Sequence, residues 1–465
     1  MIPLSAQEAL EWTGGRLARG SAETRFARVT TDTRADVADS LFVALVGANH
    51  DAHAFVGQAL AAGATGVLVE RADAVPSDAD AAVIVVPDST RALGALAAGH
   101  RAGFDGPVVA ITGSNGKTTT KEMCASILGV GGPCLKNRGN LNNEIGLPLT
   151  LLEREASHRT LVVELGMNHR GEIARLAAIA RPTVGVITNV GTAHIEHLGS
   201  RDAIAQEKGD LVASLPPEAI AVLNADDPRV LAQAARTRAR VVRFGLAEEA
   251  DVRAERVTTL GERGFAFDLL ANGARTAIQI AGLGDSTVPN ALAAAAAALA
   301  AGASLDLVAE GLGRYRPVGG RMERVALPRN IILINDTYNA NPQSMRVALE
   351  SLAKLKGGSR GIAVLGDMGE LGDAAVEAHR ATGALVAKLG LDQLFALGEH
   401  AEALAEAAIE AGMDGSRVHV GGSHAEVADT VRELLQGNDW VLVKGSRSMR
   451  MERVVEALSE SLEER

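Results

Sequence analysis

Two cysteines, Cys124 and Cys134, are too few in 465 residues for a disulfide framework, and no Cys/His cluster has zinc-site spacing. Aromatic residues are equally scarce at 3%, which removes the platforms on which nucleic-acid bases stack. A basic excess is missing too. The formal net charge is −11, so no nucleic-acid partner is expected. Small anions remain possible ligands, because local Arg, Lys and backbone N–H groups hold them whatever the global charge. The most apolar stretch, residues 291–301, is alanine-rich and about half the length of a membrane span. Residues 1–15 carry Glu8 and Glu11 without a basic flank or a long apolar run, so no signal peptide is expected. These absences point to a soluble, cytoplasmic protein without membrane insertion.

Hydrophobic residues make up 47% of the chain and charged residues 22%, enough to build packed interiors. A chain this long divides into two to four units of roughly 100–200 residues each. Short apolar runs at 41–46, 66–69 and 83–86 alternate with an alanine-rich helical stretch and read as a small α/β unit. A Gly-Asp-Pro cluster at 103–107 ends it. Continuous apolar runs follow at 107–112, 160–165, 183–190 and 219–224, the pattern of strands buried on both faces of a parallel sheet. Residues 251–280 are spaced like antiparallel strands extending that sheet's edge, and 290–301 reads as a helix. After Arg314–Gly320 the βα rhythm resumes, with strands at 330–335, 361–366, 393–398 and 439–444. The expected boundaries are therefore 1–105, 106–316 and 317–465. Ligands of doubly wound sheets bind at the strands' carboxyl ends.

The sharpest local signal is Gly113-Ser114-Asn115-Gly116-Lys117-Thr118-Thr119, after a strand and before a helix. Glycines let the backbone curl its N–H groups toward phosphate oxygens, and the helix terminus adds positive potential. Lys117 would reach the β- and γ-phosphates, and the Thr118 hydroxyl would ligate Mg²⁺. The loop is a variant, because Ile111 stands six positions before the lysine where the usual motif has glycine. Glu164 ends the next strong strand, where an acid projects toward the loop. His194, with His197 nearby, lies in the loop after a further strand; Lys208 lies in a helix and on spacing alone reads as solvated. In the third unit Asn335-Asp336-Thr337-Tyr338-Asn339-Ala340-Asn341-Pro342 leaves a strand end as a crowd of hydrogen-bonding groups. Gly366 to Gly372, and Lys444, Ser446 and Arg447, follow other strands on the same rim. The last three would suit a carboxylate or phosphate.

Together GSNGKTT, NLNNEIGLPL, NVGTAHIEHLG, GRME, DTYNANPQSM, LGDMGELG and KGSRSMRME resemble the Mur ligases, from about Thr30 to Glu452. DTYNANP and LGDMGELG discriminate among family members and resemble the branch that adds D-alanyl-D-alanine. The resemblance implies three α/β domains: one holding a UDP-sugar, a central P-loop ATPase domain with a parallel sheet, and a Rossmann-like carboxyl domain. It implies ATP and Mg²⁺ as cofactors. Its partners would be UDP-N-acetylmuramoyl-tripeptide and D-alanyl-D-alanine, acted on by a monomer. By position, Lys117 and Thr118 would bind triphosphate and metal. Glu164 and His194 resemble metal ligands, and Lys208 aligns with a lysine that becomes carbamylated, able to hold a second Mg²⁺. Asn290 resembles an adenine contact, Arg321 a catalytic arginine reaching phosphate, and Asp336 a ribose contact. Thr31, Asp32, Thr33 and Arg34, with Asn142 and Asn143, resemble the UDP-sugar region. Tyr338, Asn339, Asn341, Lys444, Ser446 and Arg447 are the further substrate candidates. Rival readings are another amide ligase, such as a folylpolyglutamate synthetase, a nucleotide-driven switch or motor, or an inactive binding protein.

Overall fold

The computed structural model describes residues 1–47 and 49–463. Apart from the antiparallel pair Leu4–Ser5 and Arg25–Phe26, its strands fall into three large sheets, each drawn from one part of the chain. The first runs in the order Arg16–Arg19, Ala82–Val85, Gly66–Val69, Ser40–Val43, Arg28–Thr30, parallel except at Arg16–Arg19. The central sheet has nine strands. Val108–Thr112 lies inside it between Val184–Ile187 and Thr160–Glu164, with Cys134–Lys136 at one edge. Beyond Ile220–Asn224 and Arg240–Gly245 the other edge becomes antiparallel, through Val252–Thr259, Phe265–Ala271 and Ala274–Ile280. That edge extension was expected from the sequence. Cys134–Lys136 and Arg240–Gly245 were not, because one has only three residues and the other alternates Arg with apolar residues, weakening the buried-strand signature.

The third sheet runs in the order Glu323–Leu327, Ile331–Asp336, Trp440–Lys444, Gly361–Gly366, Gln393–Leu397, Val418–Gly421. Only its first pair is antiparallel. The last strand to be made, Trp440–Lys444, inserts beside Ile331–Asp336, so loops that are distant in sequence leave neighbouring strand ends.

The alanine-rich helix begins at Thr287 and ends at Ala300, with Ala291 through Ala298 buried. A helix apolar all round belongs inside a protein. It packs against the helix Lys117–Val130, and small side chains let the two approach closely. One continuous apolar core joins the first two units: Leu4, Ala6, Leu93 and Leu96 cluster with Val108, Leu147, Leu151 and Leu176. The third unit keeps separate cores on the two faces of its sheet, joined from the centre by Leu283.

Candidate active site

The carboxyl ends of the central and third sheets face each other across a cavity of about 850 Å³. Its wall takes Ser114 through Thr119, Asn142, Asn143, Glu164, His194, Lys208 and Asn290 from the centre. Arg321, Asp336, Tyr338, Asn339, Asn341, Lys444 and Arg447 come from the third unit.

Between Val108–Thr112 and Lys117–Val130 the backbone must curl, and two glycines permit it. Gly116 caps the helix at φ 81°, and a Cβ there would overlap Asn290 Oδ1. Gly113 has φ 151°, and a Cβ there would overlap Thr188 Oγ1. The loop is tied down from the next strand's end: Ser114 N donates to Asn189 O, and Asn115 N donates to Asn189 Oδ1 at 2.9 Å. Thr188 Oγ1 donates to Asn115 O at 2.7 Å. Lys117 folds back so that its Nζ donates to Gly113 O at 2.9 Å, over the loop. Burial lowers its pKa, the Glu164 charge opposes that fall, and Arg321 adds to it.

Thr118 Oγ1 donates to Glu164 Oε2 at 2.7 Å, and Asn142 Nδ2 donates to Glu164 Oε1 at 2.8 Å. Both carboxylate oxygens are thus aimed. Fully buried Asn137, which sequence reading did not single out, continues the sheet by side chain: Oδ1 accepts from Glu164 N at 2.9 Å and Nδ2 donates to Glu164 O at 3.2 Å. Buried Lys121 donates to Asn137 O at 2.5 Å. No periodic pattern marks a side chain that mimics a ladder. Asn143 Oδ1 accepts from Gly146 N at 2.9 Å and so starts the helix Gly146–Leu152.

Lys208, on the helix Arg201–Ala213, is 1% exposed yet lines the cavity, and no hydrogen bond or ion pair holds it among the described residues. Burial first, then the nearby Lys117 charge, holds its pKa well below the usual lysine range. Its surface reading, the one spacing favoured, is therefore corrected: tertiary packing covers a helix face that carries no clear periodicity. His194 sits at φ 64° with Nδ1 2.6 Å from Glu370 Oε2, a close contact with poor hydrogen-bond alignment. Glu370 is the second acid of LGDMGELG and reaches across from the third unit. His197 instead lies beside His169, with ring centroids 5.1 Å apart and the planes tilted by 35°.

Arg321 Cζ lies 3.9 Å from the Tyr338 ring centroid, so the aromatic face carries the cation at the cavity wall. Asp336 Oδ2 accepts from Lys444 Nζ at 2.6 Å, and Asn339 O accepts from the same nitrogen at 2.8 Å. Lys444 is thus spent on its own domain. Arg447 pairs with Glu452 at 2.8 Å, and Ser446 is buried beside Ser448 and off the cavity wall. The three do not converge as one anion clamp, because neighbouring acids take both cations. Thr31, Asp32, Thr33 and Arg34 also lie off this cavity, where Arg34 holds the Asp32 carboxyl down to about 2. From residues 1–105 it is Thr90, at the start of the helix Ser89–Ala102, that reaches the wall. Asp367 is structural: it accepts from Glu399 N and His400 N at 2.7 and 3.1 Å.

Known proteins share this architecture and these loops. Residues 111–298 match the family described as "Mur ligase middle domain", and residues 320–447 match "Mur ligase, glutamate ligase domain". The UDP-N-acetylmuramoyl-tripeptide--D-alanyl-D-alanine ligase of Escherichia coli (strain K12) is 37% identical over 99% of each chain. A MurF crystal structure from Acinetobacter baumannii aligns at TM-score 0.89 and 36% identity, covering 98% of this chain and 99% of that one. MurF from Thermotoga maritima, solved in complex with ADP, aligns at TM-score 0.83 and 28% identity over 94% and 98%. With this likeness running through all three sheets and both walls of the cavity, the chain belongs to the Mur ligase family, among the UDP-N-acetylmuramoyl-tripeptide--D-alanyl-D-alanine ligases.

Proposed function

We propose that this chain is an ATP-dependent amide ligase that joins D-alanyl-D-alanine to UDP-N-acetylmuramoyl-tripeptide, releasing ADP and phosphate in peptidoglycan precursor synthesis. The observation that carries the reading is one cavity walled by a phosphate loop on one side and by Arg321 and the polar Asp336–Asn341 loop on the other. In the proposed reaction, an oxygen of the tripeptide's terminal carboxylate attacks the γ-phosphorus. The bond to the β–γ bridging oxygen breaks, and ADP leaves with that electron pair. The amine of D-alanyl-D-alanine then attacks the acyl-phosphate carbonyl; phosphate departs and the nitrogen loses a proton. Lys117 and Arg321 supply fixed positive charge where the phosphoryl group transfers, and Ser114 through Thr119 wrap the triphosphate. Asn290 is read as the adenine contact and Asp336 as the ribose contact. Walls from two domains keep water from the acyl phosphate.

The donor chemistry fits Mg²⁺ at Thr118 and Glu164, an aimed hydroxyl and carboxylate of the oxygen type this cation prefers. When bound, Mg²⁺ would neutralise charge on the phosphate oxygens. His194 would have to exchange Glu370 for a metal. As an ammonium Lys208 repels a cation. As a neutral amine, the form its burial favours, it could take up CO₂ and become an anionic carbamate ligand. Thr31 to Arg34 with Asn142 and Asn143 are read as the UDP-sugar region, and Tyr338, Asn339, Asn341, Lys444, Ser446 and Arg447 as dipeptide-side groups. The domain limits proposed are 1–105, 106–316 and 317–465, each holding one large sheet. The enzyme is read as a cytoplasmic monomer. Among the described residues no helix is long and apolar enough to cross a membrane.

The test is phosphate release from ATP with D-alanyl-D-alanine and each UDP-muramoyl peptide in turn. Release that requires both acceptor and peptide supports the reading. Hydrolysis indifferent to both overturns it in favour of a switch or motor.

A further inference from the structure

The backbone of the phosphate loop is tied from within its own domain, but the side chain of Asn115 is held from the other. Asn341 Nδ2 donates to Asn115 Oδ1 at 2.8 Å, and Asn115 Nδ2 donates to Gln343 Oε1 at 3.0 Å. Both atoms of the Asn115 amide are therefore satisfied across the domain boundary.

The direction of this relay is set by a helix cap. Asn341 caps the helix Pro342–Leu355, where its Oδ1 accepts from Ser344 N at 2.9 Å. With that oxygen committed to the cap, its amide nitrogen is left to face Asn115 Oδ1, and Asn115 in turn must donate to Gln343. The chain also leaves room for the contact. A Cβ at Gly191 would overlap Gln343 Oε1, and Gly191 N donates to Ser114 Oγ at 2.8 Å inside the same loop.

We propose that Asn341 and Gln343 are positioning residues that complete the phosphate loop in trans, so that the loop holds the triphosphate tightly only while the third domain is docked. The proposal rests on the ATP-dependent reading above and deepens it. Docking and nucleotide binding are then one linked equilibrium: whatever favours one favours the other by the same factor.

Two variants spare the fold. Gln343 is exposed, and Gln343→Met keeps its length without an acceptor. Asn341→Ser keeps a capping oxygen but is too short to reach Asn115. The probe is ADP binding by calorimetry to the full chain without either peptide, alongside thermal melting. Each variant is expected to weaken ADP by roughly 2- to 10-fold, the size of one net hydrogen bond, with the melting temperature unchanged. Gly191→Ala is expected to weaken ADP in the native background, by pushing Gln343 Oε1 off Asn115, and to add little beside Gln343→Met, since the acceptor it displaces is then already lost. Unchanged ADP affinity in both variants would overturn the proposal. So would a Gly191→Ala effect that persists in full beside Gln343→Met, which would place its cause inside the loop. Because no peptide is present, a failed latch is distinguishable from a failed ligase assignment: the first shows in ADP affinity, the second in acceptor-independent phosphate release.

Discussion

The two joints of the molecule are built from opposite materials. Where the first unit meets the centre, the helix Ser89–Ala102 packs on Gly146–Leu152 and Glu172–Ala180, and Leu93, Leu96, Leu147, Leu151 and Leu176 share one dry core. Buried Arg101 adds three donations to carbonyls, those of Ala180, Phe104 and Arg181. Where the centre meets the third unit, the contacts are mostly polar and ring a cavity: Asn115 with Asn341 and Gln343, His194 with Glu370, Arg324 with Glu262, Lys354 with Asp285. Apolar burial is large and non-directional, so separating the first joint would expose a core. Exposed polar pairs contribute little each and can be exchanged for water. The first joint is a weld; the second is held by polar contacts that water can replace.

The largest expected effect lies at the polar joint's cavity. Lys117→Ala should cost at least about 10²–10³-fold in turnover, the usual loss when a group that stabilises developing charge is removed. Its melting temperature should stay near that of the parent; normal ADP formation would end the assignment. Next comes the weld. Leu96→Ala should destabilise by about 2–5 kcal/mol, as cavities in close-packed cores do. The loss should appear in one transition that melts the first two units together, whereas two separate transitions would show that the joint is no weld. A smaller effect is expected from Glu262→Gln combined with Asp285→Asn, about 0–1 kcal/mol per pair and fading at high salt. A salt-independent loss of several kcal/mol would place real binding energy in these pairs.

The smallest effect concerns acid. His100 bridges the weld, with Nδ1 3.2 Å from Leu151 O and Nε2 3.2 Å from Ile2 O. Burial, then the Arg154 charge, lowers its pKa below the ordinary 6.5. Burial likewise lowers that of His379, whose Nε2 accepts from Met368 N. Unfolding lets both take up protons, so their stabilisation is complete above about pH 6.5 and is lost as pH falls through the lowered folded values. Melting temperature measured from pH 7.5 to 5.5 should decline more for the native chain than for His379→Gln.

Much of the site was readable along the chain. The glycine turn with Lys117 and Thr118 announces itself because phosphate wrapping needs a fixed local geometry, and Glu164 follows from its place at a strand end. What failed was anything that depends on a partner remote in sequence. Lys444 looked available until Asp336, 108 positions away, took it. Lys208 looked solvated until the strands Val108–Thr112 and Val184–Ile187 and the helix Glu172–Ala180 packed against its helix. Asn137 and Gln343 carry no spacing signal, since each acts on a group in another element, and Glu370 was legible only as part of a strand-end loop.

By itself, then, the order of residues determined the α/β class, the sites where strands end in polar loops, and the phosphate loop, because these arise from short-range periodicity and backbone freedom. Only the tertiary structure decided which loops share a cavity, which charges are already paired, and which joint is apolar and which polar. Those properties belong to pairs of groups brought together by sheet order, and a linear pattern carries no record of which ends will meet.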